Sequence, residues 1–317
     1  MVCAKFDVPS DALRAVFTPD VLTRLRARKQ PSEQLTWRLE VLDACGPAPT
    51  DPWRARKVRV WRARKAVWEA YLTASYASGL FDGHAGSDLR ARLTIDDDGK
   101  FRGAMAECMA CWFLSCSIGS PVERVPQSTN GRTRDFQVHF PFGDAGLEVK
   151  APARERQQGF HWVDDSDVLR KCLKTANQQF SADCPNVLVI APNLECPLFY
   201  DRQTLVRAFY VRRAIVCDFN PAKARLENPR SEFRRTGAFL NRTEPSGKPL
   251  KADGAPAYRR VSAIVCIEET LCGDETRITH NVMILHNPHA NHPIPEAVWG
   301  EYPQLVKRER LMVWTDG

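Results

Sequence analysis

Apolar positions recur at helical spacing over the first hundred residues; beyond them, short strand-like runs alternate with helical ones. Between Asp11 and Lys29 the apolar set Leu13, Val16, Phe17, Val21, Leu22 and Leu25 predicts an amphipathic helix. A second helix starts at Pro31-Ser32-Glu33 and runs through Leu42. The segment from Pro47 to Pro52 is a break, and a long helix is expected from Trp53 to Ser78. Asp96-Asp97-Asp98-Gly99 is a turn signal and marks the expected boundary between a helical region, 1–98, and a second region, 99–317.

In the second region the pattern predicts a helix over Gly103–Ser117 and strands over Val122–Pro126, Arg134–Phe140 and Leu147–Ala151. A helix over Asp167–Ala182 and a buried strand over Asn186–Ala191 follow. Further strands are expected at Val261–Ile267 and His280–Leu285, forming a carboxy-terminal extension. The polar, basic, Pro- and Gly-rich stretch Arg225–Gly254 reads as a surface loop.

Composition narrows the class. The 317 residues are 44% hydrophobic and 26% charged, ordinary for a globular chain able to bury a core. The net charge of +7 favours polyanionic partners but is weak evidence at this size. Met1-Val2-Cys3-Ala4-Lys5-Phe6-Asp7 resembles no secretory leader, no apolar run is long enough for a membrane, and the eleven Cys are odd in number. A cytoplasmic protein with reduced thiols and no membrane partner is expected.

The expected long helix opens with Arg54, Arg56, Lys57, Arg59, Arg62, Arg64 and Lys65, with Trp53 and Trp61 among them. Two readings are open: a surface that tracks a phosphate backbone, or a solvated helix face.

Most of the chemistry falls on one hairpin. With 141–144 (Pro-Phe-Gly-Asp) as its loop, Phe140 faces Ala145, Gln137 faces Glu148, and Asp135 faces Lys150. Side chains alternate along a strand, so Asp135, Gln137, Glu148 and Lys150 share one face while Phe136, Val138, Phe140, Leu147 and Val149 share the other. Two carboxylates so close repel each other unless a cation sits between them, and oxygen-only ligation suits Mg²⁺ or Mn²⁺. An adjacent lysine completes a set suited to metal-assisted phosphodiester hydrolysis. A salt-bridged sheet face is the plainer alternative on spacing alone.

Arg134-Asp135 followed by Leu147-Glu148-Val149-Lys150, with Glu107 on the preceding helix, resembles the PD-(D/E)XK nuclease superfamily over roughly residues 100–192. The resemblance implies an α/β fold with a restriction-endonuclease-like core: helix, three strands, helix, strand, in a mixed sheet. It implies that Asp135, Glu148 and the Val149 carbonyl bind the metal, and that Lys150 positions or activates water. Glu107 would orient a metal-bound water or help hold a second ion. A polar residue on the second core helix is also implied; of Lys171, Lys174, Asn177 and Gln178, Gln178 and then Lys174 are the expected ones. The family's Asp is often preceded by Pro, where this chain has Arg134.

The expected function is a Mg²⁺-dependent deoxyribonuclease serving restriction, phage defence or repair. Nucleic-acid contacts are expected from Arg54, Arg56, Lys57, Arg59 and Lys174, and the helical region is expected to bind DNA or a partner protein. Restriction enzymes of this type are often dimers, so a second copy is a further expected companion. A nuclease-like module that binds nucleic acid without cutting it is the alternative, and an unrelated α/β protein with surface ion pairs is a third.

Cys108, Cys111 and Cys116 lack a second tight Cys pair and read as buried thiols; His286, His289 and His292 lie in a Pro-rich loop that reads as bordering the cleft. No phosphate-binding loop, nucleophile elbow or dinucleotide fingerprint occurs, which excludes ATP-driven chemistry built on those motifs.

Overall fold

A computed structural model describes residues 11–45, 49–125, 134–152, 165–192, 202–210, 213–220, 223, 225–233, 238–239, 258–308 and 311–315. The expected helix over 11–29 is two helices, α1 (Ala12–Val16) and α2 (Pro19–Arg26). Pro19 has no N–H with which to continue α1, and Thr18 caps α2 by accepting from the Val21 N–H. α3 (Glu33–Leu42) is capped by Ser32 and α4 (Pro52–Ala77) by Asp51. An unexpected helix, α5 (Gly83–Leu93), follows. Leu89 and Leu93 are fully buried, and Gly86 packs where a Cβ would lie 2.1 Å from the Phe81 carbonyl carbon.

Asp97 caps α6 (Asp98–Trp112) by accepting from the Lys100 N–H at 2.9 Å. The aspartates expected to form a turn therefore open a helix, which ends in one π-helical turn, Phe113–Ser117. Strands β1 (Val122–Arg124), β2 (Phe136–Phe140) and β3 (Gly143–Lys150) come next, then α7 (Asp165–Gln179) and β4 (Asn186–Ile190). The remaining elements are α8 (Arg202–Phe209), β5 (Arg213–Asn220), β6 (Arg225–Phe233), β7 (Ala263–Leu271), β8 (Ile278–His286), β9 (Gln304–Arg308) and β10 (Leu311–Thr315). The expected loop over 225–254 is corrected at its start: 225–233 pairs with β5 in a two-stranded sheet, its backbone hydrogen bonds overriding a polar composition.

The main sheet has eight strands in the order β1-β2-β3-β4-β7-β8-β9-β10. β1, β2 and β3 are antiparallel neighbours, β3, β4 and β7 run parallel, and the fold is α/β with a mixed sheet. α4 and α6 pack on one face, where Trp68, Leu72, Met105 and Met109 share a buried cluster with Phe136, Leu147, Val149 and Val265. The expected boundary at 98/99 thus lies within a single core. On the other face Leu169, Leu173 and Phe180 bury Leu188, Ile190 and Ile264 together with Leu205 and Phe209 of α8.

Candidate active site

β2 and β3 are joined by only two residues, Pro141 and Phe142, with Phe140 opposite Gly143 and Phe136 opposite Leu147. The four-residue loop expected from sequence is corrected by this tighter turn. The register moves by two residues, an even number, so every side chain keeps its expected face. One step beyond the last pair, Asp135 stands opposite Glu148, where the sequence reading set it opposite Lys150. An Asp135 carboxylate oxygen accepts the Val149 N–H at 2.8 Å, which ties the start of β2 to the end of β3.

Glu148 is 1% exposed and ion-paired with Lys150, so it is no solvated sheet residue. The polar surface face lies further along the same strands: Arg134 donates to Gln137, Gln137 to Asp144, and His139 bridges Asp144 and Glu123. Gly146 fits between Arg134 and Asn186, where a Cβ would lie 2.5 Å from Asn186 Oδ1. Asn186 is pinned there by donating to the carbonyls of Ser181, Cys184 and Arg260.

Burial, then the neighbouring charge of Glu107, pushes Asp135 up to about 6 against the pull of Val149 N–H, Lys150 and Arg92. Burial, then Asp135, pushes Glu148 up to about 7, while Lys150 acts in the opposite sense. Burial, and then the neighbouring acids, thus hold both carboxyls toward their neutral forms.

Glu107, on α6, is buried and meets the Arg92 guanidinium at 2.5 and 2.9 Å, with Arg124 at 3.6 Å. Burial works against the Arg92 charge, but its bonds to Glu107 more than offset this and its pKa is raised. Neither arginine has a local sequence signal that would have singled it out.

Gln178 is corrected by the phase of α7: it is exposed, as is Lys174, and Gln179 is the residue turned toward Glu148. With its amide nitrogen facing the carboxylate, Gln179 donates to both Glu148 oxygens. Position 179 continues the inward stripe of Cys172 and Ala176, whereas 178 continues the outward stripe of Lys171 and Lys174.

The basic run on α4 is largely matched by the chain's own acids. Arg56 and Arg59 reach Glu275 at 2.5 and 3.9 Å, Lys57 reaches Glu40 at 3.2 Å, and Lys65 donates to the Leu42 carbonyl. Arg64 is buried in an ion pair with Glu269, which also accepts from Tyr71 at 2.9 Å. Arg54 is exposed, and Trp53 beside it is 70% exposed.

Cys108 and Cys111 are buried free thiols, with burial pushing them up to about 12 and about 11, and Cys116 is exposed. His286 faces Gln304, whereas His292 faces the Ala182 carbonyl. Among the described residues no three His, Cys, Asp or Glu side chains form a ready ligand group, and no helix is long and apolar enough to cross a membrane.

Comparison with models of known protein families, with curated proteins and with solved structures gives no match.

Proposed function

We propose that this chain is a divalent-metal-dependent nuclease of the PD-(D/E)XK type that hydrolyses DNA phosphodiester bonds. The observation that carries the reading is the placement of Asp135 opposite Glu148, just beyond the end of the β2–β3 ladder and beside Lys150, with both carboxyls raised by burial. The order α6-β1-β2-β3-α7-β4 supports it, because that is the order the superfamily core requires.

The donors fit a hard cation. Asp135, Glu148 and the Val149 carbonyl offer oxygen alone, in a set of two carboxylates and one main-chain group that suits Mg²⁺ or Mn²⁺. When bound, the ion would supply Lewis-acid stabilisation of the phosphate and lower the pKa of water. Lys150, held as an ammonium against Glu148, would orient the attacking water, whose proton would pass to solvent, and would answer the charge that develops on the phosphoryl oxygens. Gln179 would hold the Glu148 carboxylate in its orientation from the α7 side. Exposed Arg54, with Arg56, Lys57 and Arg59 on α4 and Lys174 on α7, would contact the nucleic-acid backbone.

The test is cleavage of plasmid and of single-stranded DNA with Mg²⁺, Mn²⁺ or EDTA, for the native chain and Lys150→Ala. Metal-dependent cutting that the variant loses is the expected result. Cutting that survives the substitution would sink the assignment of the site. DNA retention with no cutting under any metal would favour a binding-only module, for which the basic opening of α4 is the supporting feature.

A further inference from the structure

Two buried carboxylates, Glu107 and Glu148, and the half-buried Asp135 just before β2 are answered differently by their surroundings. Glu107 is gripped by the Arg92 guanidinium through two hydrogen bonds, at 2.5 and 2.9 Å, one to each oxygen. Arg124 adds a second guanidinium at 3.6 Å. Asp88 braces Arg92 from behind at 2.9 Å and lies 3.9 Å from Arg124. Among the described residues Asp135 and Glu148 meet no such fork: Glu148 has Lys150 and the neutral amide of Gln179, and Asp135 has a main-chain N–H.

A bidentate guanidinium–carboxylate pair is a strong, directional contact, and little of it here is open to water. Admitting a cation to Glu107 would displace Arg92 and leave a half-buried guanidinium without its partner, which is a costly exchange. The same cluster joins α5, α6 and β1 immediately beside the site. Arg124 closes β1, and the next residue, Val125, directs its N–H toward the Asp135 carbonyl at 3.5 Å.

We infer that the centre holds a single divalent cation, carried by Asp135 and Glu148, and that Arg92 and Arg124 keep Glu107 out of the ligand set as a strut that positions Asp135. This rests on the nuclease reading and deepens it. It also replaces the two roles that the resemblance implied for Glu107, water orientation and a second ion.

The experiment is the stoichiometry of Mn²⁺ binding to the full metal-free chain, followed by the paramagnetic resonance of free Mn²⁺ and by calorimetry. It is run with and without an oligonucleotide whose linkages resist cleavage. One ion per native chain is expected in both conditions. Glu107→Gln should still bind one ion, but several-fold more weakly and with a lower melting temperature, because the strut behind Asp135 is loosened; Asp135→Asn should lose the ion. Because Glu107→Gln strands Arg92 and can impair folding, the double variant Glu107→Gln/Arg92→Gln removes both charges together; it should recover melting temperature and still bind one ion.

Two ions on the native chain, one of them lost with Glu107→Gln, would overturn the inference while leaving the nuclease reading intact. A second ion that appears only with the oligonucleotide and depends on Glu107 would do the same, as would loss of the ion in the folded double variant. No Mn²⁺ binding by the native chain would bring down the nuclease reading and this inference with it.

Discussion

The Val149 N–H donates to a carboxylate oxygen of Asp135 at 2.8 Å, so the residue between Glu148 and Lys150 is what holds Asp135 beside them. The bond crosses from β3 to the residue just before β2, where the ladder has ended. It uses a strand-end N–H to orient an acid.

Substitution of Asp135 or Lys150 should sharply slow the proposed cleavage while leaving the fold intact. Lys150→Ala is expected to lower the single-turnover cleavage rate by a factor on the order of 10²–10³, the usual span for one preorganised charge-stabilising donor. Asp135→Asn should lower it at least as far. Single-turnover kinetics with circular dichroism as a folding control measure both; a rate in Lys150→Ala equal to that of the native chain would contradict the assignment.

The metal-free protein should become less stable as pH rises. Asp135 is held up to about 6 and Glu148 up to about 7, above the value of about 4 for these groups in an unfolded chain. Across that window the native state binds more protons than the unfolded one, so their contribution to stability is present at the acidic end and lost by about pH 7. Melting temperature in EDTA should therefore fall across this range more steeply than in the Asp135→Asn/Glu148→Gln double variant. Mg²⁺ or Ca²⁺ should remove the difference by binding the ionised carboxylates. Parallel curves for the native chain and the double variant would count against it.

Adjacent glutamines on α7 should behave differently. Gln179→Ala removes a donor to Glu148 and should weaken metal affinity or activity by about 10–100-fold, as is usual for groups that orient a ligand. Gln178→Ala alters an exposed position and should leave both unchanged. Isothermal titration with Mn²⁺ separates them, and equal effects would refute the helix phase described above.

Arg64 and Glu269 form a buried pair, and Tyr71 donates to the same carboxylate. Arg64→Ala should cost about 3–5 kcal/mol because it strands a buried charge, whereas Arg64→Met with Glu269→Leu should lie much closer to the native chain. Chemical denaturation of the three proteins decides the matter; an Arg64→Ala loss below about 1 kcal/mol would mean that water reaches the pair.

Gly146 has no room for a side chain. Gly146→Ala presses a Cβ toward Asn186 Oδ1, whose amide is fixed by three carbonyls, and should cost about 1–3 kcal/mol as an overpacked site. Cleavage should fall as well, since position 146 lies two residues before Glu148 on the same face. A variant as stable and active as the native chain would show that Asn186 can yield.

The hairpin faces were legible because the side-chain period of a strand is two. Asp135, Glu148 and Lys150 could be grouped with the loop length misjudged, since the error was itself two residues. Helix phase tolerates no such slip: one residue turns a helix by roughly 100°, and that separates Gln178 from Gln179. Arg92 and Arg124 were invisible because they reach Glu107 from α5 and β1, and only the folded chain brings those elements together. α5 was obscured by its glycines, one of which serves close packing against Phe81. β9, β10 and the β5–β6 pair are carried by ladders between strands whose composition does not announce them.

The Arg64–Glu269 pair also bears on how the chain comes into being. Its members are 205 positions apart, so α4 leaves the ribosome with a guanidinium whose counter-charge has yet to be synthesised. Tyr71, on the same helix, which the finished protein buries against Glu269 and His280, must wait for the same late strands. During that interval the amino-terminal helices present an uncovered apolar surface and an unneutralised cation, the state in which a nascent chain is most exposed to self-association and to chaperone capture.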